Sequence, residues 1–147
     1  TPGFKFAEAE VNGIPLRLEI GPRDIENGTC VLVKRHNGEK IVIKQDELIE
    51  QLPIILSTIH HEMYEKAHKF VLDHIKEAHT FEELTNIVNE GNYAKMMWCG
   101  DEECENKIKE ATNATSRCMP FNQNGFADTC PICGKKANKV VLFAKAY

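Results

Sequence analysis

The sequence lacks any long apolar run. None of its stretches approaches the roughly 18 consecutive apolar residues of a membrane-spanning helix. It also lacks a signal-peptide pattern at its start and an initiator methionine, so we expect an excised fragment without a membrane segment. The motifs G-x-S-x-G, G-x-x-x-x-G-K-[ST] and G-x-G-x-x-G are absent too. These absences argue against an independent active site in this chain.

Excess positive charge is also missing. The formal net charge is −4, which argues against a protein that binds polyanions over its whole surface. Residues 1–45 carry seven lysines and arginines against six acids, and residues 46–147 carry eleven against sixteen. Any nucleic-acid contact is therefore expected near the N-terminus and should be selective, although a balanced, solvated surface explains the composition equally well.

The first 45 residues predict strands and turns. Apolar and charged residues alternate from Leu16, which predicts a half-buried strand with Arg17 and Glu19 on its outer face. A break follows at Gly21-Pro22. Asn37-Gly38 is a hairpin signal between two further strands. The three predicted strands cover residues 16–20, 30–33 and 40–43.

A helical period replaces this pattern after Asp46. A long helix is predicted there, and Pro53 should begin or kink it. A capping box at Thr80 to Glu83 opens a second helix, which Gly91 ends. We place a domain boundary near residue 79. Further along, the patterns predict a strand at 93–98, a helix at 102–112, a loop at 120–129 and a strand at 140–143.

Four of the six cysteines have the spacing of a metal site, and their positions are Cys99, Cys104, Cys130 and Cys133. Four thiolates satisfy tetrahedral Zn²⁺ and leave no open position, so we predict one structural zinc ion. Four buried free thiols, or a redox-active C-x-x-C pair, are the alternatives. The other two cysteines, Cys30 and Cys118, are predicted core residues. Without a secretory signal, six cysteines indicate a reducing compartment.

Five histidines cluster around the long helix. They do not form an H-E-x-x-H motif, because Met63-Tyr64-Glu65 follows His61-Glu62. We interpret them as a solvated helical face rather than as metal ligands. Their positions are His60, His61, His68, His74 and His79.

Three stretches of the chain form one recognisable combination. They are Pro2–Phe6 with Glu10 and Gly13–Asp24, then Trp98–Gly100 with Cys104, then Cys130 and Cys133 ahead of Lys145–Tyr147. The most specific part is the run G-x-P-L-R-x-E-I-G-P-R-D, which begins at Gly13. Together these stretches resemble the C-terminal part of prolyl-tRNA synthetase of the archaeal and eukaryotic type, a family that usually has Trp where Phe4 stands.

The resemblance implies an α/β (α+β) fold. Residues 1–79 would form part of a mixed-sheet anticodon-binding domain with a long helix, and residues 80–147 a small zinc-bound α/β domain. The class II catalytic domain, with its ATP and Mg²⁺, would be missing, so the fragment would be inactive alone. The parent would be a cytoplasmic proline–tRNA ligase, a homodimer that binds tRNA(Pro).

The resemblance also assigns roles to single residues. Phe6 would stack on an anticodon base, Glu10 would accept from N1–H and N2–H₂ of guanine, and Arg17 would offer a bidentate fork. Arg23 is a weaker member of this set. Read without the family, Phe6 is a core residue, Glu10 and Arg17 are an exposed ion pair, and Arg23 and Asp24 stabilise a turn.

Three further residues are predicted to take part. Lys34 and Lys40 would neutralise phosphates of the tRNA. The carboxylate of Tyr147 would reach back to the active site of the catalytic domain.

Two other functions remain open at this point. The chain could be a free-standing, zinc-stabilised module that binds tRNA or protein without catalysis. It could also be an unrelated zinc-ribbon-like interaction domain.

Overall fold

The structure is a computed structural model that describes residues 1–146. Two compact units follow one another in the chain, and the division falls after His68. The proposed domain boundary near residue 79 stays a prediction. Within the described residues, no helix has the length and apolar character needed to cross a membrane.

The first unit contains a three-stranded antiparallel sheet in the order β1-β2-β3. Leu32, in the middle strand, is fully buried and pairs with Leu18 on one side and Ile41 on the other. Ile55 and Ile59 of the long helix pack against this face and complete a small core. The elements that begin in this unit are α1 Pro2–Val11, β1 Leu16–Glu19, α2 Pro22–Asn27, β2 Thr29–Lys34, β3 Lys40–Lys44, a 3-10 turn Gln45–Glu47 and α3 Leu48–Asp73, whose last residues lie beyond the division.

The start of the chain is helical, so the prediction of strands and turns over residues 1–45 is wrong in two places. Pro2 stands in the first turn of α1, where its missing N–H costs nothing. A second short helix, α2, occupies the predicted break, and the Gly21 N–H donates to Asp24 Oδ2 at 2.8 Å. Pro53 does not begin the long helix, because α3 starts at Leu48 and includes it.

Arg17 and Glu19 lie on the face of β1 opposite Leu16, which packs against the core, as predicted, but that outer face is not open to solvent. The side chains of Arg17 and Glu19 are 20% and 24% exposed, whereas Leu18 between them is 42% exposed. The Arg17 guanidinium lies over the ring of Phe6 on α1, which shelters that face of the strand.

The second unit has a four-stranded mixed sheet in the order β4-β5-β7-β6. β4 runs parallel to β5, and the other pairs are antiparallel. Phe143 of β7 and Leu84, Met96 and Ile108 around it are fully buried. The elements are β4 Ile75–Glu77, α4 Phe81–Asn89, β5 Tyr93–Trp98, α5 Glu102–Thr112, β6 Ala114–Cys118 and β7 Lys139–Lys145.

Local signals in this unit are confirmed. Thr80 Oγ1 accepts from the Glu83 N–H at 3.1 Å, and the Glu83 carboxylate accepts in return from the Thr80 N–H at 3.3 Å. The bounds of β5 and α5 are those predicted. Cys30 is fully buried, as expected, but Cys118 is exposed. It lies at the end of an edge strand, after a bulge that follows Ser116, and so it is not a core residue.

Candidate metal centre and nucleic-acid interface

The four predicted metal ligands come together in the second unit. Cys99 follows the end of β5, Cys104 lies in the first turn of α5, and Cys130 and Cys133 share one turn ahead of β7. Their four sulfurs all lie within 4.8 Å of one another. Cys99 Sγ is 3.7 Å from both Cys104 Sγ and Cys133 Sγ. A tetrahedron with metal–sulfur bonds of about 2.3 Å has edges of about 3.8 Å, so this arrangement fits Zn²⁺.

Backbone hydrogen bonds hold the second pair of cysteines. The Gly134 N–H donates to the Cys130 carbonyl at 2.8 Å, and the Cys130 N–H donates to the Lys135 carbonyl at 2.8 Å. Gly134 has φ +71°, a left-handed conformation that glycine adopts without steric cost. Two backbone hydrogen bonds therefore close the turn, and the sulfurs of Cys130 and Cys133 both lie in the four-cysteine cluster.

The thiols differ in how readily they ionise. Cys104 is 2% exposed, and burial raises its pKa well above the usual range. Burial also raises the pKa of Cys99. At Cys133 a backbone hydrogen bond from Lys135 lowers the pKa to about 7. Since metal ligands must be thiolates, metal binding at this centre should release protons.

An ion pair that no sequence pattern predicts connects the two cysteine loops. Lys135 Nζ lies 3.1 Å from Asp101 Oδ2. This contact lowers the pKa of Asp101 and raises that of Lys135. Asp101 is also the N-cap of α5, because its Oδ1 accepts from the Glu103 N–H at 3.1 Å. An aspartate directly before a predicted helix is a known N-cap signal, whereas no signal in the sequence points to the lysine as its partner.

The histidines do not join a metal site in the described part of the chain. The four cysteines are the group of His, Cys, Asp and Glu side chains that could hold an ion there. Four of the five clustered histidines are exposed, and His74 is half-buried with Nδ1 2.7 Å from the Phe70 carbonyl.

Three of the predicted tRNA-binding residues converge in the first unit, on α1 and β1. The Arg17 guanidinium lies 4.2 Å from the centre of the Phe6 ring. The Arg17 Nε donates to Glu19 Oε1 at 3.0 Å, and Arg17 Nη1 lies 3.4 Å from Glu10 Oε1. The Glu10 side chain is 63% exposed. A groove of about 460 Å³ beside them is lined by Phe6, Leu18 and Glu19, among others.

The remaining predicted residues lie apart from this cluster. Arg23 and Lys40 are exposed, on α2 and at the start of β3. Lys34 is 5% exposed, and its ammonium lies 2.8 Å from Glu39 and 3.1 Å from Glu62. A buried ammonium held by two carboxylates is not available to a phosphate, which contradicts the expectation for Lys34. Tyr147 lies outside the described residues.

Comparisons with known proteins indicate what the two units resemble. Residues 1–53 match the family described as "Anticodon binding domain", and residues 81–147 match "Prolyl-tRNA synthetase, C-terminal". The two matched segments correspond to the anticodon-binding and C-terminal domains of prolyl-tRNA synthetases, and the α+β fold agrees with that correspondence.

Similar proteins come from several organisms. A proline–tRNA ligase of Agathobacter rectalis is 51% identical over 100% of this chain, and one of Clostridium botulinum (strain Loch Maree) is 48% identical over 99%. The crystal structure of prolyl-tRNA synthetase from Cryptosporidium parvum, complexed with L-proline and AMP, superposes with a TM-score of 0.93 at 34% identity and covers 100% of this chain.

These matches also set two limits. The chain spans 31% of the length of the curated relatives and 32% of the Cryptosporidium chain. The curated relatives are bacterial, so the expectation of an archaeal and eukaryotic type is not supported.

Proposed function

We propose that this chain reads anticodon bases of tRNA(Pro) for a proline–tRNA ligase, and that a zinc ion fixes its C-terminal unit. The observation that carries the proposal is the convergence of Phe6, Glu10 and Arg17 within the segment that matches the anticodon-binding family. Single-stranded bases are recognised by stacking and by hydrogen bonds to their edges, and this cluster offers both.

The contacts of Phe6, Glu10 and Arg17 indicate a different role for each residue in binding a base. Glu10 is the exposed acceptor, and a carboxylate can receive the two parallel N–H donors of guanine. Arg17 is already bonded to Glu19 and close to Glu10, so its role is to orient the Glu10 carboxylate rather than to contact the base. Phe6 borders the adjacent groove, which gives a base an aromatic surface.

Phosphate contacts are assigned to the exposed basic residues. Arg23 and Lys40 are both exposed, and cations at such positions neutralise phosphates without reading sequence. Lys34 is left out because its ammonium is buried and paired.

The metal is proposed to be Zn²⁺ in a structural role. Four cysteine ligands leave no position for substrate or water, and thiolate donors at tetrahedral spacing favour zinc. Metal analysis of the purified chain should find one zinc per molecule.

The rest of the parent enzyme is inferred from the relatives. We propose that it ligates proline to tRNA with ATP and Mg²⁺ in a catalytic domain outside this chain, acts in the cytoplasm and forms a homodimer. The Tyr147 carboxylate near that active site also remains a proposal.

The test of base reading uses an anticodon stem-loop of tRNA(Pro) and its variant with inosine in place of guanine, which lacks the N2 amino group. Binding of each RNA to this chain is measured by fluorescence anisotropy at fixed salt. Glu10→Gln should weaken binding to the guanine loop by about 1–3 kcal/mol, or roughly fivefold to 150-fold, and should abolish discrimination against inosine.

Glu8→Gln, an exposed change on the same helix, is the matched control and should bind like wild type. Unchanged discrimination in Glu10→Gln would show that Glu10 does not read guanine.

A further inference from the structure

Each of the two cysteine loops carries a charged residue near its cysteines, and these two residues have charges of opposite sign. Asp101 lies two residues after Cys99 and three before Cys104, and Lys135 lies two residues after Cys133. Their side chains meet at 3.1 Å. The contact therefore joins two segments that are otherwise far apart in sequence.

Hydrogen bonds hold both Asp101 and Lys135 to the segments that carry the cysteines. The Lys135 carbonyl accepts from the Cys130 N–H, which ties it to the turn that holds two of the sulfurs. Asp101 caps α5 through its Oδ1, while Oδ2 receives the lysine. The ion pair can therefore hold one loop against the other without any metal.

We propose that Asp101 and Lys135 form a clamp that aligns the two cysteine loops and so raises the affinity of the centre for its metal. This inference rests on the proposed metal site. Both are positioning residues, because their charged groups pair with each other and neither supplies a ligand in the four-sulfur group.

The energetic scale is modest. The side chains of Lys135 and Asp101 are 66% and 33% exposed, and solvent screens ion pairs at such positions, so they contribute little. We therefore expect each single change to weaken metal binding only modestly, by about fivefold at most. A clamp and a simple charge effect predict opposite results at Asp101. Four thiolates around a divalent ion leave net negative charge, so removing a nearby carboxylate by itself should favour the metal-bound state.

A double-mutant cycle separates the two explanations. Asp101→Asn keeps a capping oxygen but loses the ion pair, and Lys135→Met keeps the aliphatic chain. Zinc affinity of the full chain is measured by competition with a chromophoric chelator for wild type, both single variants and the double variant. Lys136→Met, the exposed neighbour, is the control.

The clamp predicts that both single variants bind zinc more weakly, that the double variant is no weaker than either, and that the differences shrink in 1 M salt. Additive effects, or tighter binding by Asp101→Asn, would overturn it. Failure of the wild-type chain to bind one zinc would instead overturn the metal site itself.

Discussion

Loss of the proposed metal should lower the melting temperature of the second unit substantially. The change we consider is Cys104→Ser, which removes one ligand and leaves 25 residues between Cys104 and Cys130 without their cross-link. The chain-entropy relation for closing a loop of that length gives about 3.5 kcal/mol at 25 °C. By comparison, a metal present at a thousand times its dissociation constant would stabilise the bound state by about 4 kcal/mol.

This energy converts to a large thermal shift. In a unit of about 80 residues, each kcal/mol changes the melting temperature by about 4–8 °C. Cys104→Ser should therefore melt roughly 14–28 °C below wild type when both are purified with zinc. Circular dichroism measures the transition, and metal analysis of the same samples gives the zinc content.

The design separates the metal from the packing at a buried position. Cys104 is 2% exposed, so the new hydroxyl group carries a desolvation cost of its own. Melting both proteins after removal of metal by a chelator isolates that cost, because neither then has the cross-link. Cys118→Ser, at an exposed cysteine outside the cluster, should match wild type in zinc content and melting temperature. A wild-type protein that melts at the same temperature with and without metal would refute the reasoning.

Two further predictions concern stability. Hydrogen bonds from Lys34 lower the pKa of Glu39 and Glu62 below the ordinary 4.5, so the stabilisation is present above that pH and is lost as the pH falls through the folded-state values. In urea titrations, the stability gap between wild type and Lys34→Met should therefore narrow as the pH falls below 4.5, and a gap that stays unchanged on acidification would contradict this. Thr80→Ala should lower the free energy of unfolding by about 1 kcal/mol, whereas Thr80→Ser should not, as measured by thermal melts.

The parts of the fold that were predicted depend on short-range signals. β5, α5 and the capping box at Thr80 are set by residues within a few positions of one another, so their bounds could be read from the sequence. β6 was missed because Ala114–Cys118 is polar and becomes a strand only by pairing with β7. α1 was missed because it contains no fully buried residue and its apolar period is weak.

The same distinction applies to the candidate sites. The clustering of the four cysteines was predictable because their paired spacing is typical of metal ligands. The ion pair of Asp101 with Lys135 was not, since it depends on how the loops fold onto each other. The prediction that Lys34 contacts a phosphate rested on its charge alone. Only the structure showed that its ammonium group donates to Glu62, 28 residues away in the sequence.

The position of β7 has a consequence for synthesis on the ribosome. β7 lies between β5 and β6 in the sheet but is made after both of them. Until residues 139–145 leave the exit tunnel, β5 and β6 have no common neighbour, and the edges of both strands that pair with β7 stay unpaired. Cys133 emerges six residues before β7 begins, so the four proposed metal ligands are all available just before the strand that closes the sheet. Binding of the proposed metal can therefore come before the sheet forms and bring its last strand into place.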